Sequence, residues 1–252
     1  MYTSTNGQTW TLATGIPGNA TGKVFSISCN KIECNGKIFV AVGHDVNNTN
    51  IAWSIDGDVW QYADAPMVFD NCYTVAWDGI IWIASYYDSF NGTSYIINSK
   101  EGQIWYDINY VPTAGDYINT IVSAKILPNL GSNDFVLVGG GDQANKLTYS
   151  LHGTDFININ YPNTLSSVIL NDPLQGGNDG IWNIAYNGSY WLMTTGVGSR
   201  ILILRSANGV MWTPSNFNGT GLNPNVVNIR GGGGGGGGGA SDVLVWLNAG
   251  CN

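Results

Sequence analysis

Five times the chain repeats a seven-residue pattern: Ser, any residue, a mostly polar residue, Gly, two more residues, then Trp or Phe. The copies run Ser4–Trp10, Ser54–Trp60, Ser99–Trp105, Ser150–Phe156 and Ser206–Trp212. Successive serines are 50, 45, 51 and 56 positions apart, and the path from Ser206 through the C-terminus to Ser4 is another 50. Self-similarity at such a period is the signature of a propeller or a solenoid. The near-equal closing distance predicts a ring of five units in which the two chain ends share one.

The chemistry of the pattern is that of a turn. Gly7, Gly57, Gly102, Gly153 and Gly209 can supply the positive φ of a tight turn. The leading Ser and the Asn or Asp side chains can bond the turn's own amides. The trailing aromatics Trp10, Trp60, Trp105, Phe156 and Trp212 are suited to packing between neighbouring sheets. On these residues the chain resembles the Asp-box (BNR) repeat family of sialidase-like and other β-propellers, with two departures. The usual box has one more residue between its Asp and its Gly, and only Asp56 keeps the acid itself. The resemblance implies a propeller in which the boxes are structural turns away from the binding face. The strand wording around the boxes also resembles uncharacterised propeller proteins of giant viruses and environmental genomes, which implies a virion-associated or extracellular setting.

A second feature precedes the boxes by about eighteen residues. Ile32 to Gly43, Thr74 to Ala84 and Asn183 to Met193 each read as strand, Asn-Gly or Asp-Gly turn, and a second strand rich in aromatic and β-branched residues. The copy from Ile118 to Gly139 carries an insertion at its turn, residues 128–133. Four strands per repeat make a propeller blade. The expected fold is all-β: a single five-bladed β-propeller over residues 1–252, with four antiparallel strands per blade. Its blades fall near 20–65, 66–110, 111–160 and 161–216, and the fifth joins 217–252 to 1–13. Sharing that blade between the ends removes an exposed edge. The run Gly231–Gly239 sits where a central strand is expected, and poly-Gly serves a strand poorly. It reads as a flexible insert or as unidentified residues written as glycine.

Composition narrows the partners. Net charge is −8 with nine Lys and Arg against seventeen Asp and Glu, so nucleic acid and anionic membrane are not expected partners. No apolar run is long enough for a transmembrane helix, and Met1–Ser4 enters the first repeat directly, so no signal peptide is expected. Cys29, Cys34, Cys72 and Cys251 lack zinc spacing. They read as small core residues rather than as a disulfide framework. The sequons at Asn19, Asn47, Asn91, Asn187 and Asn218 are about what an Asn- and Thr-rich chain gives by chance.

With strands running alternately, the loops after strand two and before strand one share the face opposite the boxes. Asp45, Asp88 and Asp142 each close a second strand there, beside Tyr87, and Asp70, Asp116 and Asp179 each enter a first strand. Three carboxylates near an axis suit a hard cation such as Ca²⁺ or a glycosidase's acid–carboxylate pair; the plainer reading is that Asp caps strand ends. The usual Glu acid is missing, since Glu33 and Glu101 lie on the box face. A sialidase needs three converging arginines, and of Arg200, Arg205 and Arg230 the second opens a box and points away. His44 and His152 have no nucleophile motif beside them. No catalytic residue, metal or other cofactor is therefore expected. What remains is recognition of a glycan or protein surface by aromatic, Asp and Asn loops. Assembly with copies or with a particle is the first alternative, and glycoside hydrolysis the second.

Overall fold

A computed structural model describes residues 2–17, 24–25, 28–46, 49–65, 71–108, 118–124, 135–140, 146–151, 153–158, 180–197 and 200–214. Among them there is no helix. A short ribbon, β1 (Tyr2–Thr3) with β2 (Thr11–Leu12), brackets the first box. Four four-stranded antiparallel sheets follow. The first is β3 (Ser28–Cys34), β4 (Phe39–His44), β5 (Ile51–Ser54) and β6 (Gln61–Tyr62). The second is β7 (Asn71–Trp77), β8 (Trp82–Asp88), β9 (Thr93–Ser99) and β10 (Tyr106–Asp107). The third is β11 (Ile118–Ala124), β12 (Phe135–Gly140), β13 (Lys146–Ser150) and β14 (Ile157–Asn158). The fourth is β15 (Gly180–Tyr186), β16 (Trp191–Val197), β17 (Arg200–Ser206) and β18 (Thr213–Pro214). Each sheet is a meander in chain order, and β3 lies against β7, β7 against β11, and β11 against β15.

The alternation of side chains along a strand explains why β4 and β8 read as largely apolar runs: both of their faces are covered. From β8, Trp82, Ala84 and Tyr86 pack toward the first sheet with Val40, Val42 and Ile51. From the other face, Ile83 packs with Ile96, Ile118 and Ile121 toward the third sheet. Leu147 of the third sheet meets Ile181, Ile184, Trp191 and Met193 of the fourth. At about 25 cal/mol per Å², each such aromatic or branched side chain contributes roughly 2–3 kcal/mol on burial.

The boxes clamp the sheets together. Ser4, Ser54, Ser99 and Ser206 Oγ accept the box glycine N–H at 2.8, 2.9, 2.8 and 2.8 Å. Asp56 Oδ1 accepts from Asp58 and Val59 N–H, and Asn6 and Asn208 take the same two bonds in their boxes. The aromatic then returns its indole N–H to the glycine carbonyl: Trp60 to Gly57, Trp105 to Gly102 and Trp212 to Gly209. Its ring fills a seam. Trp105 lies between the first and second sheets, Phe156 between the second and third, and Trp212 between the third and fourth. Gly102 approaches the neighbouring sheet so closely that a Cβ would sit 2.7 Å from Ile38 Cδ1 and 2.8 Å from Val40 Cγ2. Backbone bonds add a stitch from sheet to sheet. Asp64 N–H donates to Gln103 O and Trp105 N–H to Asp64 O, both at 2.8 Å, and Gly15 makes the same pair with Asp58 and Trp60.

The Asn-Gly and Asp-Gly turns are four-residue loops, 35–38, 78–81 and 187–190, closed by Asn35 N–H to Ile38 O and its two equivalents. Four residues are needed because the Asx oxygen itself accepts the third and fourth amides, at Asn35, Asp78 and Asn187. The cysteines do not all serve as small core residues. Cys34 is disulfide-bonded and Cys29 is exposed, leaving Cys72 as the buried thiol. An extra residue in β3 pairs Cys29 and Cys34 with Gly43 and Phe39, an even four apart on β4. The 217–252 part of the expected shared blade, the 128–133 insertion, Cys251 and Gly231–Gly239 lie outside the described residues.

Candidate functional site

The site is built at the sheet ends where first strands begin and second strands finish. There each of the four described first strands carries the same irregularity. Register shifts fall between Cys29 and Lys31, Cys72 and Thr74, Ile118 and Thr120, and Ile181 and Asn183. Asn30, Tyr73, Asn119 and Trp182 are thus equivalent one-residue bulges. A bulge releases backbone groups from the ladder and re-aims side chains, and here both are used across the seams.

Asn30 Nδ2 donates to Asn71 Oδ1 and to Cys72 O, each at 2.8 Å, while its Oδ1 accepts from Ser28 Oγ at 3.0 Å. Asn119 repeats the reach into the next sheet, its Nδ2 3.3 Å from Ile181 O. Those carbonyls belong to the residues just before the bulges of β7 and β15. Where the bulge is Tyr73, the hydroxyls of neighbours take over. Thr74 Oγ1 accepts from Ile121 N–H at 3.1 Å, and Ser85 Oγ donates to Ile118 O at 3.0 Å. Lys31, directly after its bulge, passes the second sheet altogether and donates to Ile121 O at 3.0 Å, with Glu33 3.9 Å away. The first strands are therefore tied by polar side chains along their inner edge.

The acids behave otherwise. Asp88 ends β8 and holds its own loop: Oδ1 accepts from Phe90 and Asn91 N–H at 2.9 and 3.3 Å, and Oδ2 from Asn91 Nδ2. Asp45 follows β4, is buried, and accepts from Thr49 Oγ1 at 3.2 Å, while its N–H donates to Asn50 Oδ1 at 2.7 Å. Both are strand-end caps. Tyr87 is half-buried with its ring tilted against Tyr73, centroids 6.3 Å apart. The adjacent Phe90 is almost wholly exposed. Tyr86 stacks on Tyr95 at 4.9 Å, and burial, reinforced by the Asp107 carboxylate, raises its phenol pKa so that it stays neutral. Asp70, Asp116, Asp142 and Asp179 lie outside the described residues, as does His152. Among the described residues no group of three His, Cys, Asp or Glu side chains is placed to hold a metal ion.

The sequence names Asp45, Tyr87 and Asp88 as candidates at this end, and the structure adds Asn30, Tyr73, Asn119 and Lys31 beside them. A signal was present: Asn30, Tyr73 and Trp182 each stand six residues before the turn glycines Gly36, Gly79 and Gly188. What a single repeat could not reveal is that this position is unpaired in the ladder. Chemically, the face offers the half-buried amides of Asn71 and Asn119 and the ring of Tyr87, while Tyr73, Thr74 and Ser85 are buried beneath. Asn71 Nδ2 and Asn119 Oδ1 have no partner among the described residues.

No protein-family model matches the chain, and no curated protein matches it in sequence. Solved structures that resemble it do so distantly. The computationally designed Ika8 protein is 8% identical with a TM-score of 0.41, over 74% of this chain and 57% of that one. Hadza microbial sialidase Hz136 is 11% identical with a TM-score of 0.41, over 68% of this chain and 32% of that one. A GH130-family structure, from work on glycoside hydrolases that target β-1,2 mannosidic linkages, is 13% identical with a TM-score of 0.36, over 81% and 73%. The chain thus spans about half and about a third of the first two proteins. Likeness at this level assigns no activity.

Proposed function

We propose that the chain is a non-catalytic, lectin-like binding module: a single five-bladed propeller that recognises a glycan through the bulged end of its sheets. The observation that carries this reading is Asp88, whose two oxygens are both engaged in holding the loop behind Phe90. Glycoside hydrolysis needs one carboxyl group to give a proton and a second to act on the sugar. A carboxylate committed to its own loop serves neither role, but it does hold neighbouring aromatic and amide groups in place. Tyr87 and Phe90 supply ring faces for the apolar side of a pyranose, and Asn71 and Asn119 supply a donor and an acceptor for hydroxyls. No cofactor is needed for such binding. An extracellular or virion-associated setting fits a module of this kind.

A second reading, docking in an assembly, is favoured by the opposite end. There the box and turn residues Ile55, Ile80, Leu151 and Met211 are each at least half exposed, at 69, 52, 51 and 66%. A glycan array separates the two. Retention of a glycan that is lost with Tyr87→Ala and recovered uncleaved supports the lectin reading. No retention by any glycan, together with association that Ile55→Asp abolishes, contradicts it in favour of assembly.

A further inference from the structure

We propose that Asn187–Gly188 is a deamidation site selected by the fold, while the same dipeptide in the boxes is protected. Deamidation begins when the backbone nitrogen of the following residue attacks the Asn carboxamide carbon. A new N–Cγ bond forms, the Cγ–Nδ2 bond breaks, and the displaced nitrogen leaves as ammonia with the proton from the attacking amide. Water then opens the cyclic imide to Asp or isoaspartate. Glycine in second place offers no side chain to obstruct the attack.

Five such dipeptides lie in described turns, and their hydrogen bonds differ in the two places that matter. At Asn187, Oδ1 accepts from Ser189 and Tyr190 N–H at 3.0 and 2.8 Å. Two amides aimed at that oxygen stabilise the negative charge that grows on it during attack. The nucleophile is uncommitted: Gly188 N–H has no acceptor among the described residues. Both residues are exposed, so water reaches them. At Asn6 and Asn208 the same oxygen is polarised by two amides, but Gly7 and Gly209 give their N–H to Ser4 and Ser206 Oγ at 2.8 Å. The attacking group is tied down. At Asn91 the leaving group is held instead, because Nδ2 donates to Asp88. Asn35 falls between, half-buried, with Gly36 N–H weakly held 3.4 Å from Cys34 Sγ.

The Asp product is already accommodated by the fold. Asp78 fills the equivalent position in the second sheet, its Oδ1 accepting from Ile80 and Ile81 N–H. Isoaspartate is not so accommodated, since its longer backbone displaces the Asn187 N–H from Tyr190 O. The 187–190 turn lies at the box end, so either product leaves the bulged end intact.

The test is to hold the folded protein at mildly alkaline pH and follow each site by peptide mapping with mass and isoaspartate detection. Asn187 is expected to convert at least about tenfold faster than Asn6 and Asn208, equivalent to about 1.4 kcal/mol in barrier. Denaturing the chain is expected to bring the sites together, and Ser206→Ala to accelerate Asn208 selectively in the folded protein. Conversion of Asn208 as fast as Asn187 in the folded state overturns the proposal. So does the same ranking in denaturant, where only local sequence acts.

Discussion

Asn30 Nδ2 crosses from the first sheet to the second and donates to the carbonyl of Cys72 at 2.8 Å, the residue just before the neighbouring bulge. The same link recurs from Asn119 to Ile181 between the third and fourth sheets. Asn30→Ala is expected to destabilise by about 1–3 kcal/mol through loss of a part-buried donor. Asn30→Asp is expected to cost more, because it sets an acceptor against Asn71 Oδ1 and Cys72 O. Chemical denaturation of the two variants checks the order.

Two box glycines separate backbone strain from packing. Gly7 and Gly102 have φ of 68° and 76°, but a Cβ at Gly7 meets nothing within 4 Å. Gly7→Ala is expected to cost roughly 1–2 kcal/mol, the left-handed penalty alone. Gly102→Ala adds clashes with Ile38 and Val40 and should lose a further 1–3 kcal/mol or so. Equal thermal shifts for the two variants would contradict the seam packing of the box.

Trp105 and Trp82 are both buried, yet only the first has an acceptor for its indole N–H. Trp105→Phe removes a made bond and leaves Gly102 O without that partner. Trp82→Phe removes a donor whose burial already costs free energy. Both lose similar volume, so Trp105→Phe is expected to be the more destabilising by about 1–3 kcal/mol, measured as the difference in unfolding free energy.

Asp56 is the one aspartate at the third box position, and the amides of Val59 and Asp58 hold its pKa below the ordinary carboxylate value. A pKa depressed by folding contributes stability that is present above the unfolded value, near 4, and is lost as pH falls through the folded one. Asp56→Asn keeps the acceptor, as Asn6 and Asn208 do. It is expected to flatten the unfolding midpoint against pH in that acidic window and to leave neutral stability nearly unchanged.

Much of this arrangement could be read from the sequence because one local chemistry is written repeatedly. Ser54, Asp56, Gly57 and Trp60 each make a bond within their own seven residues, so spacing alone reveals the turn. The four-stranded meanders follow from the same periodicity. The bulges were not legible, because Asn30 and Tyr73 differ in side chain, and their shared place six residues before a turn glycine does not show that the position is unpaired with the next strand. The role of Asp88 was also ambiguous: an Asp at a strand end can cap or bind, and only the positions of Phe90 and Asn91 N–H decide for the cap.

Binding of a glycan at the bulged end without cleavage is what the proposed function requires. The most direct measurement is a glycan array probed with wild-type protein, Tyr87→Ala and Ile55→Asp, with retained sugars analysed by mass. A glycan is expected to be held by wild type and by Ile55→Asp, lost with Tyr87→Ala, and recovered intact. A retained sugar recovered as cleavage products, or binding that vanishes with Ile55→Asp and survives Tyr87→Ala, contradicts the proposed function.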